Sequence, residues 1–194
     1  MRPLGLRSAL LLVVGVGALP PAVTGCGDPL SLLPAVFENR VDSLELWAAT
    51  GTEVFRPSAY LISARSAVRL DQVTYFDFIY DITPEGEHVL IPLAALASTG
   101  RTTGNPGILP TAVPFDSITI AEQTGYVTAD TIHIRVGDVF FARSAPAPTC
   151  ILSIPSYAKL QVLAMSDSAR AISIRILSNI NCGYRGLEIG LPKR

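Results

Sequence analysis

Phe76, Phe78, Tyr80 and Ile82 occupy alternate positions, with Asp77 and Asp81 between them. That period of two predicts a strand over Val73–Ile82, its aromatic face turned inward and its carboxylates outward. Thr83-Pro84-Glu85-Gly86-Glu87 follows with turn chemistry, since proline presets φ and glycine accepts a positive one. Val73–Leu93 therefore reads as a hairpin. A second hairpin is predicted over Tyr157–Ser178. There Leu160, Val162 and Ala164 alternate with Lys159, Gln161 and Leu163, and Ser166-Asp167-Ser168 turns the chain. Ile172, Ile174 and Ile176 then alternate with Ser173 and Arg175.

Further strands are predicted at Ser43–Ala49, Ala59–Ser63, Ala67–Leu70, Ser117–Ile120, Thr131–Val136, Val139–Arg143 and Tyr184–Ile189. No helical period of ten or more residues follows Cys26. The pattern predicts an all-β fold, an antiparallel two-sheet sandwich of roughly 8–11 strands. Two stretches show no period. Ala94–Phe115 contains Gly100, Gly104, Pro106, Gly107, Pro110 and Pro114, and reads as a loop of about 20 residues. Ser144–Pro155 reads as a second irregular loop. A transmembrane barrel fits poorly, because its strands need about 9–11 residues and aromatic girdles.

The N-terminus has a different pattern. Arg2 and Arg7 precede an apolar run, Ala9–Leu19, and Pro20 and Pro21 end it. Small residues then lead to a cysteine in Val23-Thr24-Gly25-Cys26. The run is too short to cross a bilayer, which takes roughly 20 apolar residues, but it has the order of a secretory signal. Val23-Thr24-Gly25-Cys26 resembles the lipobox of bacterial lipoproteins. That resemblance covers the first 26 residues and implies cleavage after Gly25, thioether lipidation of Cys26 and acylation of the new N-terminus. It also implies an outer-membrane location in a two-membrane bacterium, because Gly27 rather than aspartate follows the cysteine. The expected organisation is a signal peptide over 1–25, a lipid-anchored leader over 26–40 and one β-sandwich domain over 41–194.

Composition narrows the partners. Hydrophobic residues make up 49% of the 194 and charged residues 16%, which excludes a disordered chain. The net charge is −1, so no basic surplus is present to hold nucleic acid. With Cys26 assigned to lipid, Cys150 and Cys182 remain as an even pair, and an exported compartment favours a disulfide between them. A metal site is the alternative, but no Cys-x-x-Cys accompanies them.

Local motifs for catalysis are weak. Ser156-Tyr157-Ala158-Lys159 fits Ser-x-x-Lys, yet Pro155 precedes it and a strand follows, which separates the two side chains. His88 and His133 are the only histidines, and both read as solvated positions on or beside strands. A haem-binding protein with two axial histidines is the sharpest alternative. Asp77 and Asp81 share a face, but four residues place them about 13 Å apart, too far for an acid–base pair. No catalytic, cofactor-binding or metal-ligating residue is assigned and no cofactor is expected. The expected function is a lipid-anchored envelope protein whose domain binds a ligand or plays a structural part. The alternative is an envelope enzyme or a haem- or metal-binding lipoprotein. A binding domain would place Trp47, Tyr60, Tyr126 or the 94–115 loop around a pocket, whereas a structural one would present an apolar patch to a protein. Beyond the membrane reached through Cys26, the partner is a small molecule or a protein.

Overall fold

Antiparallel pairing organises the chain from Val41 onward. The computed structural model describes residues 33–96, 105–146, 150 and 154–192. The chain divides into two units, Met1–Ser31 and Leu32–Arg194; the signal and the lipobox fall in the first, outside the described residues. The strands are β1 (Val41–Trp47), β2 (Ala59–Leu61), β3 (Ser66–Val68), β4 (Phe78–Ile82) and β5 (His88–Pro92). They continue with β6 (Gly107–Thr111), β7 (Ile132–His133), β8 (Val139–Arg143), β9 (Tyr157–Ser166) and β10 (Ala171–Asn179). They form two five-stranded sheets, ordered β1-β10-β9-β8-β6 and β3-β2-β4-β5-β7. Every ladder is antiparallel. The fold is the all-β two-sheet sandwich that the alternation predicts.

Both predicted hairpins form. Thr83 N–H donates to Glu87 O and Gly86 N–H to Thr83 O, with Gly86 at φ +87°, a value a Cβ would disfavour. In the β9–β10 hairpin Leu163 is an extra residue, because Ser173 faces Ala164 while Ile174 faces Val162. This bulge shifts the parity of β9, so that Met165 instead of Ala164 packs on the core.

The inner faces meet in one core. Tyr60, Phe78, Tyr80 and Leu90 of one sheet pack with Leu46, Phe140, Leu160, Ile172, Ile174 and Ile176 of the other. The Tyr60 and Phe78 rings stack with centroids 5.6 Å apart. Both outer faces are also covered. Phe115, Ile118, Leu177 and Leu187 bury the outside of the first sheet, under segments the sequence reads as strands at Ser117–Ile120 and Tyr184–Ile189. Those segments are joined by one isolated bridge, Ile120 to Gly186, with a 3-10 turn at Phe115–Ser117 leading in and a bridge from Asn39 to Gly190 just beyond. They are a cover, not strands.

That cover explains Lys159, which alternation places on the outer face but which is only 5% exposed. Its Nζ donates to the carbonyls of Phe115 and Ile118, and it lies 4.7 Å from the Phe115 ring centroid. Arg175 lies 4.2 Å from the same centroid. Burial lowers the Lys159 pKa from its usual range.

The second sheet corrects the prediction at Asp77. The strand is Phe78–Ile82, shorter than Val73–Ile82, and Asp77 is buried at 1% exposure. Phe76 does not join Phe78 and Tyr80; it packs with Ile79 and Ala59 on the outer face. Alternation holds from Asp77 to Ile82, but outward there does not mean toward water. The 69–76 segment folds over that face, and protein donors replace solvent. Ile62 N–H donates to Asp77 Oδ2 at 2.7 Å, while Tyr75 Oη and Ala145 N–H reach Oδ1 at 3.1 and 3.3 Å. Burial outweighs these bonds and pushes the Asp77 pKa up to about 6.

The expected loop over Ala94–Phe115 contains β6, an edge strand paired with β8. Pro110 is accommodated at that edge. Gly107 permits close approach, since a Cβ there would lie 2.9 Å from the Val127 carbonyl oxygen. Cys150 and Cys182 are disulfide-bonded, their Cα atoms 5.5 Å apart, which ties the segment after β8 to the turn after β10.

Candidate functional site

β1 gives the sandwich two distinct ends. At its start, Asn39 exchanges backbone hydrogen bonds with Gly190, and Asn181 Oδ1 accepts from the N–H groups of Val36 and Phe37. This is where residues 36–40 meet the rest of the sandwich. Six residues on from Val41, about 20 Å at 3.3 Å per residue, Trp47 reaches the opposite end. There Trp47 N–H donates to Pro57 O, Ala48 N–H to Arg170 O, and Ala49 N–H to Tyr80 O. Those bonds fix the 48–57 loop against the β9–β10 turn and against β4.

An open cleft of about 520 Å³ lies between that loop and that turn, lined by Trp47, Thr52, Glu53, Arg56, Ser168 and Arg170. The Arg56 guanidinium lies 5.1 Å from the Trp47 ring centroid, and its Nε donates to Glu53 Oε2 at 2.7 Å. That bond and the Arg56 charge lower the Glu53 pKa. Arg170 Nε donates to Thr50 O at 3.2 Å, passing so close to Gly51 that a Cβ there would lie 2.9 Å from it. Val54 and Phe55 stand exposed at the loop tip.

Two more clefts share this end. One, about 450 Å³, is lined by Thr50, Asp81, Ile91, Thr131 and again Arg170. Asp81 Oδ1 accepts from Thr50 N–H and Thr50 Oγ1 there, so it braces the 48–57 loop; it makes no pair with Asp77. The other, about 480 Å³, is lined by Glu87, His88, His133, Arg135 and Met165.

The two histidines therefore face one cleft but are held differently. His133 is exposed as predicted, and its Nδ1 lies 3.1 Å from Glu87 Oε2. His88 corrects the sequence reading, for its side chain is only 12% exposed. Its Nδ1 lies 2.6 Å from Tyr80 Oη and its Nε2 lies 2.7 Å from Asp167 Oδ1. A carboxylate can only accept, so Nε2–H donates to Asp167, and the second ring nitrogen is engaged by the tyrosine hydroxyl. With both nitrogens engaged, His88 has no lone pair free for an axial metal bond. Among the described residues no group of three or more His, Cys, Asp or Glu is placed to hold a metal ion. Ser156 and Lys159 also stay apart in role, since Ser156 N–H donates to Ser144 Oγ and Lys159 holds the 3-10 turn.

Of the three aromatics expected around a pocket, only Trp47 lines this cleft. Tyr60 is fully buried, its hydroxyl 3.1 Å from Ser178 Oγ, and burial raises its pKa to about 12. Tyr126 lies over the first sheet's outer face, with Arg143 4.8 Å from its ring centroid. Sequence reasoning missed Arg56 and Arg170. The signal for Arg170 is its place in the tight turn closing the β9–β10 hairpin, where it adopts φ +49°.

No protein-family model matches this chain, and no curated protein or solved structure matches it.

Proposed function

We propose that this chain is a lipid-anchored envelope protein, held through Cys26 in the outer membrane, whose β-sandwich binds a saccharide in the Trp47 cleft. The single observation that carries the reading is polarity. The chain from Cys26 enters at one end of the sandwich, and the cleft opens at the other, so the cleft lies remote from the attachment point. The lining suits a hydroxyl-rich ligand. Glu53 accepts, Arg56 and Arg170 donate, Thr52 and Ser168 do either, and the indole offers apolar area at the rim. An anion would meet Glu53, whereas hydroxyl groups can use donors and acceptors of both signs.

Trp47 is the only tryptophan, so intrinsic emission reports this cleft alone. Titration with glucose, galactose and N-acetylglucosamine oligosaccharides should give a saturable change with at least one of them. Arg170→Ala should weaken that response at least tenfold while leaving the far-ultraviolet spectrum unchanged. A flat titration across the panel would contradict saccharide binding. Cys26→Ser tests the tether separately, moving the protein from the membrane to the soluble fraction.

A further inference from the structure

We infer that the end of the domain where the leader joins docks on the lipid bilayer itself, with Phe37, Ile189 and Leu191 as its principal contacts. This rests on the anchoring at Cys26 proposed above, and adds an orientation that a tether alone does not impose. Six large apolar residues stand mostly in water at this end. Leu33 and Val36 are each 70% exposed, Phe37 52%, Ile120 50%, Ile189 76% and Leu191 56%. They come from three remote stretches of chain, and the hydrogen bonds show why they meet. Asn181 holds Val36 and Phe37, Asn39 bridges to Gly190 between Ile189 and Leu191, and Gly186 bridges to Ile120.

Concentrated exposed apolar area marks an interaction surface, and the chain's own connectivity names the occupant. From Cys26 to Leu33 is seven residues, at most about 25 Å when fully extended, so this end cannot leave the neighbourhood of its lipid. Apolar side chains at such a boundary settle about 5–10 Å into the headgroup region. Glu38, Arg40 and Glu188 intersperse the patch with both signs of charge. The contact is therefore hydrophobic, independent of lipid charge and insensitive to salt. Docking this end points the Trp47 clefts away from the membrane.

The processed protein, purified from membranes and reconstituted into phosphatidylcholine vesicles with brominated acyl chains, provides the test. Bromine quenches only indoles at acyl depth. Native Trp47, at the far end, should keep its emission. Ile189→Trp adds an indole at the patch, and that added emission should be mostly lost and blue-shifted, equally at low and high salt. Leu191→Trp is the second variant and should behave alike. Protein that floats with the vesicles while neither added indole is quenched overturns the docking and leaves the anchoring intact; a cross-linked dimer in that case assigns the patch to a second copy. Equal quenching of Trp47 and the added indoles overturns the orientation. Protein that does not float at all overturns the anchoring, and the docking with it.

Discussion

His88 Nε2 and Asp167 Oδ1 lie 2.7 Å apart, joining β5 of one sheet to the β9–β10 turn of the other. The pair is unequal, for the Asp167 side chain is 89% exposed and that of His88 12%. Beneath it, the buried Tyr80 hydroxyl depends on His88 Nδ1. Burial raises the Tyr80 pKa, so the phenol stays protonated and donates.

This inequality predicts how the clamp fails. Asp167→Ala should cost under about 1 kcal/mol, as changes at exposed positions do. His88→Ala should cost about 2–3 kcal/mol, because it strands a buried hydroxyl, and adding Tyr80→Phe should recover part of that loss. Denaturant midpoints of the three variants decide it. Equal losses for Asp167→Ala and His88→Ala would contradict the role given to Tyr80.

Asp77 sets a pH dependence. Its pKa is near 3.8 unfolded and about 6 folded, so the folded state binds the extra proton between those values. Stability from this group is full below about pH 4 and is lost as pH rises through 6, on the order of 2–3 kcal/mol across the window. Asp77→Asn should flatten that part of the stability–pH profile. Asp77→Ala removes the acceptor of three donors, one buried and two partly buried, and should cost about 2–4 kcal/mol at pH 7, near the 3–5 expected for Phe78→Ala. A neutral Asp77→Ala would restore the solvent-facing reading.

The contrast between Phe78 and Asp77 shows what alternation can and cannot tell. A period of two separates the faces of a strand, and it placed Phe78, Tyr80, Leu160 and Ile174 inward correctly. It carries no information on whether the other face meets water, and here irregular segments cover both outer faces, burying Asp77 and Lys159. Val139–Arg143 and both hairpins were legible because their turns carry proline, glycine and serine. β6 was not, because Gly107 and Pro110 signal a loop, and only tertiary pairing with β8 makes them an edge strand. The candidate site was legible only at Trp47. Arg170 and the His88 clamp join residues too distant in sequence to leave a local motif, whereas Arg56 and Glu53 are near neighbours in a loop that carries no recognisable motif.

The Cys150–Cys182 bond closes a 32-residue separation, and restricting such a loop in the unfolded chain contributes about 3–4 kcal/mol. The Cys150→Ala, Cys182→Ala protein should lose about that much, with a lower thermal midpoint that reductant no longer changes. The parent protein should fall to the same midpoint when reduced. A midpoint insensitive to reduction would mean that the bond constrains nothing that unfolding releases.

The proposed anchor is Cys26, and trypsin offers a direct measurement of it. After Arg7 the next tryptic site is Arg40, so an unprocessed chain yields the peptide Ser8–Arg40. Mass spectrometry of the membrane fraction should instead find Cys26–Arg40, heavier by a diacylglyceryl thioether and an N-terminal acyl chain. An unmodified Ser8–Arg40 peptide, or a Cys26–Arg40 peptide with a free thiol and amine, would contradict the tether on which the two-ended design depends.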